Sequence, residues 1–207
     1  VTYRGYYDKA DAKEFADGLR EEGLDVALVP ASAYSTLGWF DDPLFSSMFR
    51  RGNLIMAETV FHELAHQQLY IKGDTVFNEA FASLVGEAGV DHWLSANQRE
   101  EELSRYQAYL ERKGDFLALL RRTAERLEAV YDSPADEPTM QAQKQMVFDR
   151  LREDYQQLKA DWDGYAGYDG WFRREINNAR LASMAVYRDR VPDFQRWLVS
   201  CDEDFAR

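Results

Sequence analysis

The chain has 207 residues, of which 45% are hydrophobic and 14% aromatic, enough for one substantial core and too apolar for a disordered or fibrous protein. Acidic residues outnumber basic ones by 37 to 25, giving a formal net charge of −12, so a phosphate backbone is repelled on average and nucleic acid is not an expected partner. The single cysteine, Cys201, excludes an internal disulfide, and charges interrupt every apolar run well short of the roughly 18–20 residues that a membrane span needs.

Residues 2–7 (TYRGYY) and 24–29 (LDVALV) are short β-branched and aromatic runs. Between them lies a segment of helical composition that stops at Gly23, which predicts a small strand–helix–strand unit. Residues 30–45 mix Pro, Gly, Ser and Asp with aromatics and read as an ordered binding loop. Residues 54–71 carry apolar side chains at helical spacing, with Gly73 placed to end the helix in the left-handed region. Asp74 or Thr75 then caps a second helix, so the two form a tight hairpin.

From Asn97 to about Tyr131, Leu103, Tyr106, Leu110, Leu117, Leu120, Leu127 and Tyr131 recur at the spacing of a long amphipathic helix, which Pro134 and Pro138 end. Met140, Val147, Leu151, Tyr155, Leu158 and Trp162 define a partner helix, antiparallel to the first and read as a structural arm. GYAGYDG at 164–170 breaks the pattern, and two further helices close the chain, the last with the stripe Phe194, Trp197, Leu198, Cys201 and Phe205. The expected fold is mainly α (α+β), a single domain over 1–207. Its parts are a β/α element and aromatic loop (1–53), a helix pair (54–95), a helical hairpin (97–165) and C-terminal helices (166–207).

The chain owns three histidines, and two of them fall in HELAH, with His62 and His66 four apart around Glu63. Random placement would give that pattern only about 0.003 times per chain. Four helical residues advance about 400°, so both imidazoles leave one face about 6 Å apart, as two ligands of one zinc ion need. Glu63 lies about 100° further round, turned from direct ligation but able to reach a water on the metal, the place of a general base. That water, acidified by zinc, would attack a carbonyl, with Glu63 passing the proton to the leaving amine.

A catalytic zinc site also needs a third protein ligand and an open position. The returning helix brings Glu79 nearly level with His66, which favours it over Glu87. Glu87 lies two turns further on and is better placed as a partner of an imidazole. His92, the remaining histidine, reads as a satisfied polar residue near the helix end.

FHELAHQ followed by FNEAFAS resembles the gluzincin metallopeptidase pattern, and FNEAFAS is similar to the N-E-G-F-A-S stretch of aminopeptidase N-like enzymes. Here twelve residues separate His66 from Glu79, fewer than in those enzymes, and the G-x-M-E-N stretch that holds their substrate's amine is missing. With YRGYYD, YSTLGWFDDPL, HELAHQQLYIKGDTVFNEAFAS and INNARLASMAVY, nearly the whole chain more closely resembles a bacterial family of predicted aminopeptidases. The resemblance implies a zincin-like helical core, one zinc ion on His62, His66 and Glu79, Glu63 as base, and a peptide substrate. It also implies an N-terminal lipoprotein signal and a place on the periplasmic side of a Gram-negative envelope. A chain starting at Val1 is then expected to be a trimmed form whose lipid anchor is absent.

An aminopeptidase needs a carboxylate for the substrate's α-ammonium, and Asp41, Asp42 and Glu58 are the candidates. Tyr34, Tyr168, Tyr187, Asn177, Asn178 and Arg180 are candidate oxyanion donors, and Trp39 and Phe40 candidate pocket walls. Asp41 and Asp42 read equally as a turn before Pro43, and the aromatics equally as loop anchors. The rival functions are a zinc-bearing endopeptidase, a non-catalytic envelope binding or chaperone module with a closed metal site, and a metal-free helical domain.

Overall fold

The computed structural model describes residues 4–29, 52–185 and Arg196. They are mainly helical, in seven helices: α1 (Lys9–Glu21), α2 (Asn53–Gln68), α3 (Thr75–Ala96), α4 (Glu100–Tyr131), α5 (Glu137–Asp161), α6 (Asp169–Phe172) and α7 (Asn178–Ala185). The expected mainly α class is what the protein adopts. The expected strands at either end of α1 do not form among the described residues. β-Branched residues favour an extended chain, but a strand needs a ladder partner. Side chains take that role here. Asn177 donates to the Val26 carbonyl at 3.2 Å, while the Asp25 carboxylate accepts from Lys144 Nζ at 2.8 Å and from the Asn178 backbone N–H at 3.1 Å.

The chain divides into two compact units, Val1–Val29 with Leu110–Ala185, and Pro30–Tyr109 with Val186–Arg207. In the first, α1 begins at Asp8, whose side chain accepts from the Ala10 N–H. The core comes from the second part of α4, from α5, and from α7 with the segment just before it: Phe116, Leu119, Leu120, Leu127, Phe148, Leu151, Tyr155, Ile176 and Leu181. Two cross-links fix α4 and α5 as antiparallel. Arg126 pairs with Asp154 at 2.9 Å, and Trp162 Nε1 donates to Asp115 at 3.0 Å, so position falls along one helix as it rises along the other. Pro138 does not end α4. It sits in the first turn of α5 behind the Asp136 cap, where a missing N–H costs nothing.

The second unit holds α2, α3 and the start of α4. Buried residues stand on every side of α3: Asn78, Ala80, Ala82, Ser83, Leu84, Gly86, Glu87, Val90 and Leu94. A helix apolar or small all round is a central one. Its cap is Asp74, which accepts from the Phe77 N–H at 3.0 Å.

Helix α2 ends at Gln68, three residues before the apolar run does, and residues 69–72 leave the helix to reach Gly73, which turns at φ +88°. Asn78, 1% exposed, clamps that connection by accepting from the Ile71 N–H and donating to its carbonyl, both at 2.8 Å. α2 and α3 then approach closely at Gly86. A Cβ there would stand 2.8 Å from the Glu58 carbonyl oxygen and 3.4 Å from His62 Cβ.

Candidate metal centre

The i, i+4 spacing on α2 does what helical geometry dictates, setting the His62 and His66 rings 4.9 Å apart, nearly perpendicular at 87°. The short turn and the Asn78 clamp bring Glu79, in the second turn of α3, against both. Its Oε2 lies 3.4 Å from His62 Nε2 and its Oε1 3.7 Å from His66 Nε2. One ligand atom from each residue can be chosen so that all lie within 4.8 Å of one another. Around a tetrahedral zinc with bonds of about 2.0–2.1 Å, neighbouring ligand atoms stand about 3.3–3.4 Å apart. The two carboxylate–imidazole spacings are close to that edge, and two imidazoles with one carboxylate are a donor set suited to a divalent cation.

The electrostatics agree with the donor role. Burial first, and the charge of His62 second, push the His66 imidazole below its ordinary value, against the upward pull of Glu79 and Glu63. At neutral pH it is a neutral ring, the form that ligates. Burial tends to raise the Glu79 carboxyl, but the His62 hydrogen bond and the charges of both imidazoles outweigh it and hold the group below its ordinary value, ionised. The buried His66 Nδ1 has no hydrogen-bond partner. Leaving it so costs about 1–3 kcal/mol, which a ligand bond at the ring's other nitrogen would offset. His66 is 8% exposed while His62 and Glu79 are 22% and 26% exposed, so the cluster is anchored on one side and reachable on the other.

Glu63 is half-buried, and its charge is felt at His66. Glu87 is buried at 7% in the middle of α3, where its charge is felt by Tyr106. Glu58, one turn before His62, accepts from the hydroxyl of the buried Tyr106 at 3.0 Å. Burial first, and the charge of Glu58 second, push that phenol far above its ordinary range, so it stays a donor. His92 is exposed on α3 and takes no part in the cluster.

Asn178 lies in the first unit, where its amide donates to the Tyr131 hydroxyl at 2.8 Å. Tyr168 stacks on Phe116 there, and Arg180 lies over Trp171. Tyr34, Trp39, Phe40, Asp41, Asp42 and Tyr187 lie outside the described residues, as does the Phe194–Phe205 stripe with Cys201.

Three participants were not singled out from sequence. Tyr70 places its ring 6.3 Å from that of His66. Its position four residues after His66 was the available signal, lost among twelve tyrosines. Asn78 and Gly86 act on the backbone of another segment, at Ile71 and Glu58, and one-dimensional spacing carries no sign of that.

Fold and site together define a mainly helical protein with a His–His–carboxylate cluster that could hold a metal ion. Residues 1–207 match the family model described as "Putative aminopeptidase", and the chain belongs to that family. No curated protein and no solved structure matches it.

Proposed function

We propose that the protein is a zinc-dependent aminopeptidase of gluzincin type, with His62, His66 and Glu79 holding one zinc ion and Glu63 acting as general base. The observation that carries this reading is the pair of spacings from the Glu79 carboxylate to the two Nε2 atoms, 3.4 and 3.7 Å, across the α2–α3 hairpin. The family to which the chain belongs supports the peptidase reaction. A divalent ion held by these three side chains would supply Lewis acidity, making water nucleophilic at neutral pH and polarising the scissile carbonyl.

Glu63, adjacent to His62, takes the proton from the attacking water and returns it to the leaving amine. His66, buried and neutral, fixes the orientation of the cluster, while the more exposed His62 and Glu79 face the side from which a peptide enters. The Tyr70 phenol beside His66 is a donor for the developing oxyanion. Glu58, held by Tyr106 one turn before His62, is a carboxylate for the substrate's ammonium group. The resemblance carries the further proposal that the full-length protein is lipid-anchored on the periplasmic side of the envelope.

The test is metal content by elemental mass spectrometry together with peptide hydrolysis, on the parent, His66→Ala and Glu63→Gln. About one zinc in the parent, little in His66→Ala, and a metal-loaded but inactive Glu63→Gln are expected. Blocking the peptide's N-terminus should stop cleavage, and its persistence would make the enzyme an endopeptidase. A parent that takes up no metal after zinc reconstitution would overturn the reading.

A further inference from the structure

The first unit carries a cluster of cations that the metal chemistry does not use. Arg20 at the end of α1 and Arg174 and Arg180 around the start of α7 line one cleft of about 160 Å³ that opens to solvent. Its apolar wall is Val26, Ala27 and Leu28, the extended segment after α1. Three guanidinium groups at one cleft run against the composition of a chain with a net charge of −12.

Their partners are unequal. Arg20 is paired with Asp17 at 2.8 Å. Arg174 and Arg180 have no carboxylate partner among the described residues, although Glu175 also lines the cleft. Arg180 is the most constrained. Its guanidinium lies 4.9 Å over the Trp171 ring, and its Nε is buried with no hydrogen-bond partner. Burial first, and the charge of Arg174 second, pull its pKa below the ordinary value, the sign of a cation short of counter-charge.

The groups that would otherwise answer an anion are already bonded. The Asn178 N–H at the start of α7 goes to Asp25, and the Asn177 amide spans from the Val26 carbonyl to the Arg180 N–H. Those same bonds fix both walls of the cleft, leaving the guanidinium groups of Arg174 and Arg180 without a carboxylate partner among the described residues.

We propose that this cleft binds an oxyanion, a carboxylate or phosphate group on a small body, with Arg180 and Arg174 as its donors and Val26–Leu28 as the wall for its apolar part. A planar guanidinium forks onto such a group with two parallel hydrogen bonds, so one anion can engage both arginines where two water molecules would leave both charges standing. The inference does not depend on a metal at His62, and its test needs no catalysis.

The side-chain Nε–H resonance of Arg180, shielded from water and assigned by its loss in Arg180→Gln, is followed by nuclear magnetic resonance on the 207-residue chain. The probes are inorganic phosphate, an acetylated dipeptide with a free carboxylate, and the same dipeptide amidated. A saturable shift with either anion, little with the amide, and binding weakened about tenfold in Arg174→Gln is expected. Arg174 is exposed, so that variant keeps the fold. Response to the dipeptide alone would assign a carboxylate ligand, and to phosphate alone a phosphate-bearing one. An unmoved resonance with all probes, or binding indifferent to Arg174→Gln, would overturn the proposal.

Discussion

Replacing Gly86 by Ala tests whether the approach of α2 and α3 sets the candidate centre. The added Cβ would meet the Glu58 carbonyl oxygen at 2.8 Å, with Glu58 Cγ and His62 Cβ both at 3.4 Å. Relieving the first contact needs a local separation of about 0.5 Å, and the backbone oxygen cannot swing aside as a side chain would. Overpacking of this kind costs about 1–3 kcal/mol, and the better helix propensity of Ala returns about 0.8–1 kcal/mol. The net expectation is a loss of about 0–2 kcal/mol in urea unfolding. Metal affinity, measured by chelator competition, should fall about tenfold or more, because a ligand shell tolerates errors of only about 0.2 Å. Gly114→Ala on α4, where a Cβ meets nothing within 4 Å, is the control and should stabilise by up to about 1 kcal/mol. Gly89→Ala, whose Cβ would press on the Phe61 ring at 2.9 Å, should cost less than Gly86→Ala because a ring can tilt. If Gly86→Ala stabilised as much as Gly114→Ala and left metal affinity unchanged, the argument from close approach would be refuted.

Asn78→Ala removes both hydrogen bonds that hold Ile71, and should cost about 1–3 kcal/mol in chemical unfolding while weakening metal binding, since Glu79 follows Asn78 directly. An unfolding midpoint equal to the parent's would count against the clamp. Chelation of a protein saturated at about 100 times Kd should remove about 2.7 kcal/mol and lower the melting temperature by roughly 5–10 °C, and scanning calorimetry with and without chelator measures it. Hydrogen bonds from Lys159 first, and Tyr155 next, hold the half-buried Asp169 carboxyl below its ordinary value. A depressed folded pKa contributes stability that is present above the unfolded value near 3.9 and lost as pH falls through the lower folded one. Asp169→Asn should flatten that part of the acid unfolding curve, and an unchanged acid limb would contradict the assignment.

What the sequence determined by itself is what lies within one helical turn. Helix hydrogen bonds run from i to i−4, so helical composition and apolar spacing located the main helices, the Asp74 cap located the start of α3, and the four-residue spacing of His62 and His66 put both rings on one face. Glu79 was reachable by counting across a turn, although the count ran α2 three residues too far. The non-helical stretch at 69–72, clamped by Asn78, still delivers the carboxylate to both rings.

Tertiary structure decided the rest. The runs around α1 look like strands because β-branching marks an extended backbone, yet whether such a backbone becomes a strand depends on what lies beside it. Beside residues 24–29 lie Asn177, Asn178 and Lys144. Nor does any local pattern show that Gly86 must lack a Cβ, or that Arg20 shares a cleft with Arg174 and Arg180 more than 150 residues away. Those facts depend on distances between segments that only packing brings together.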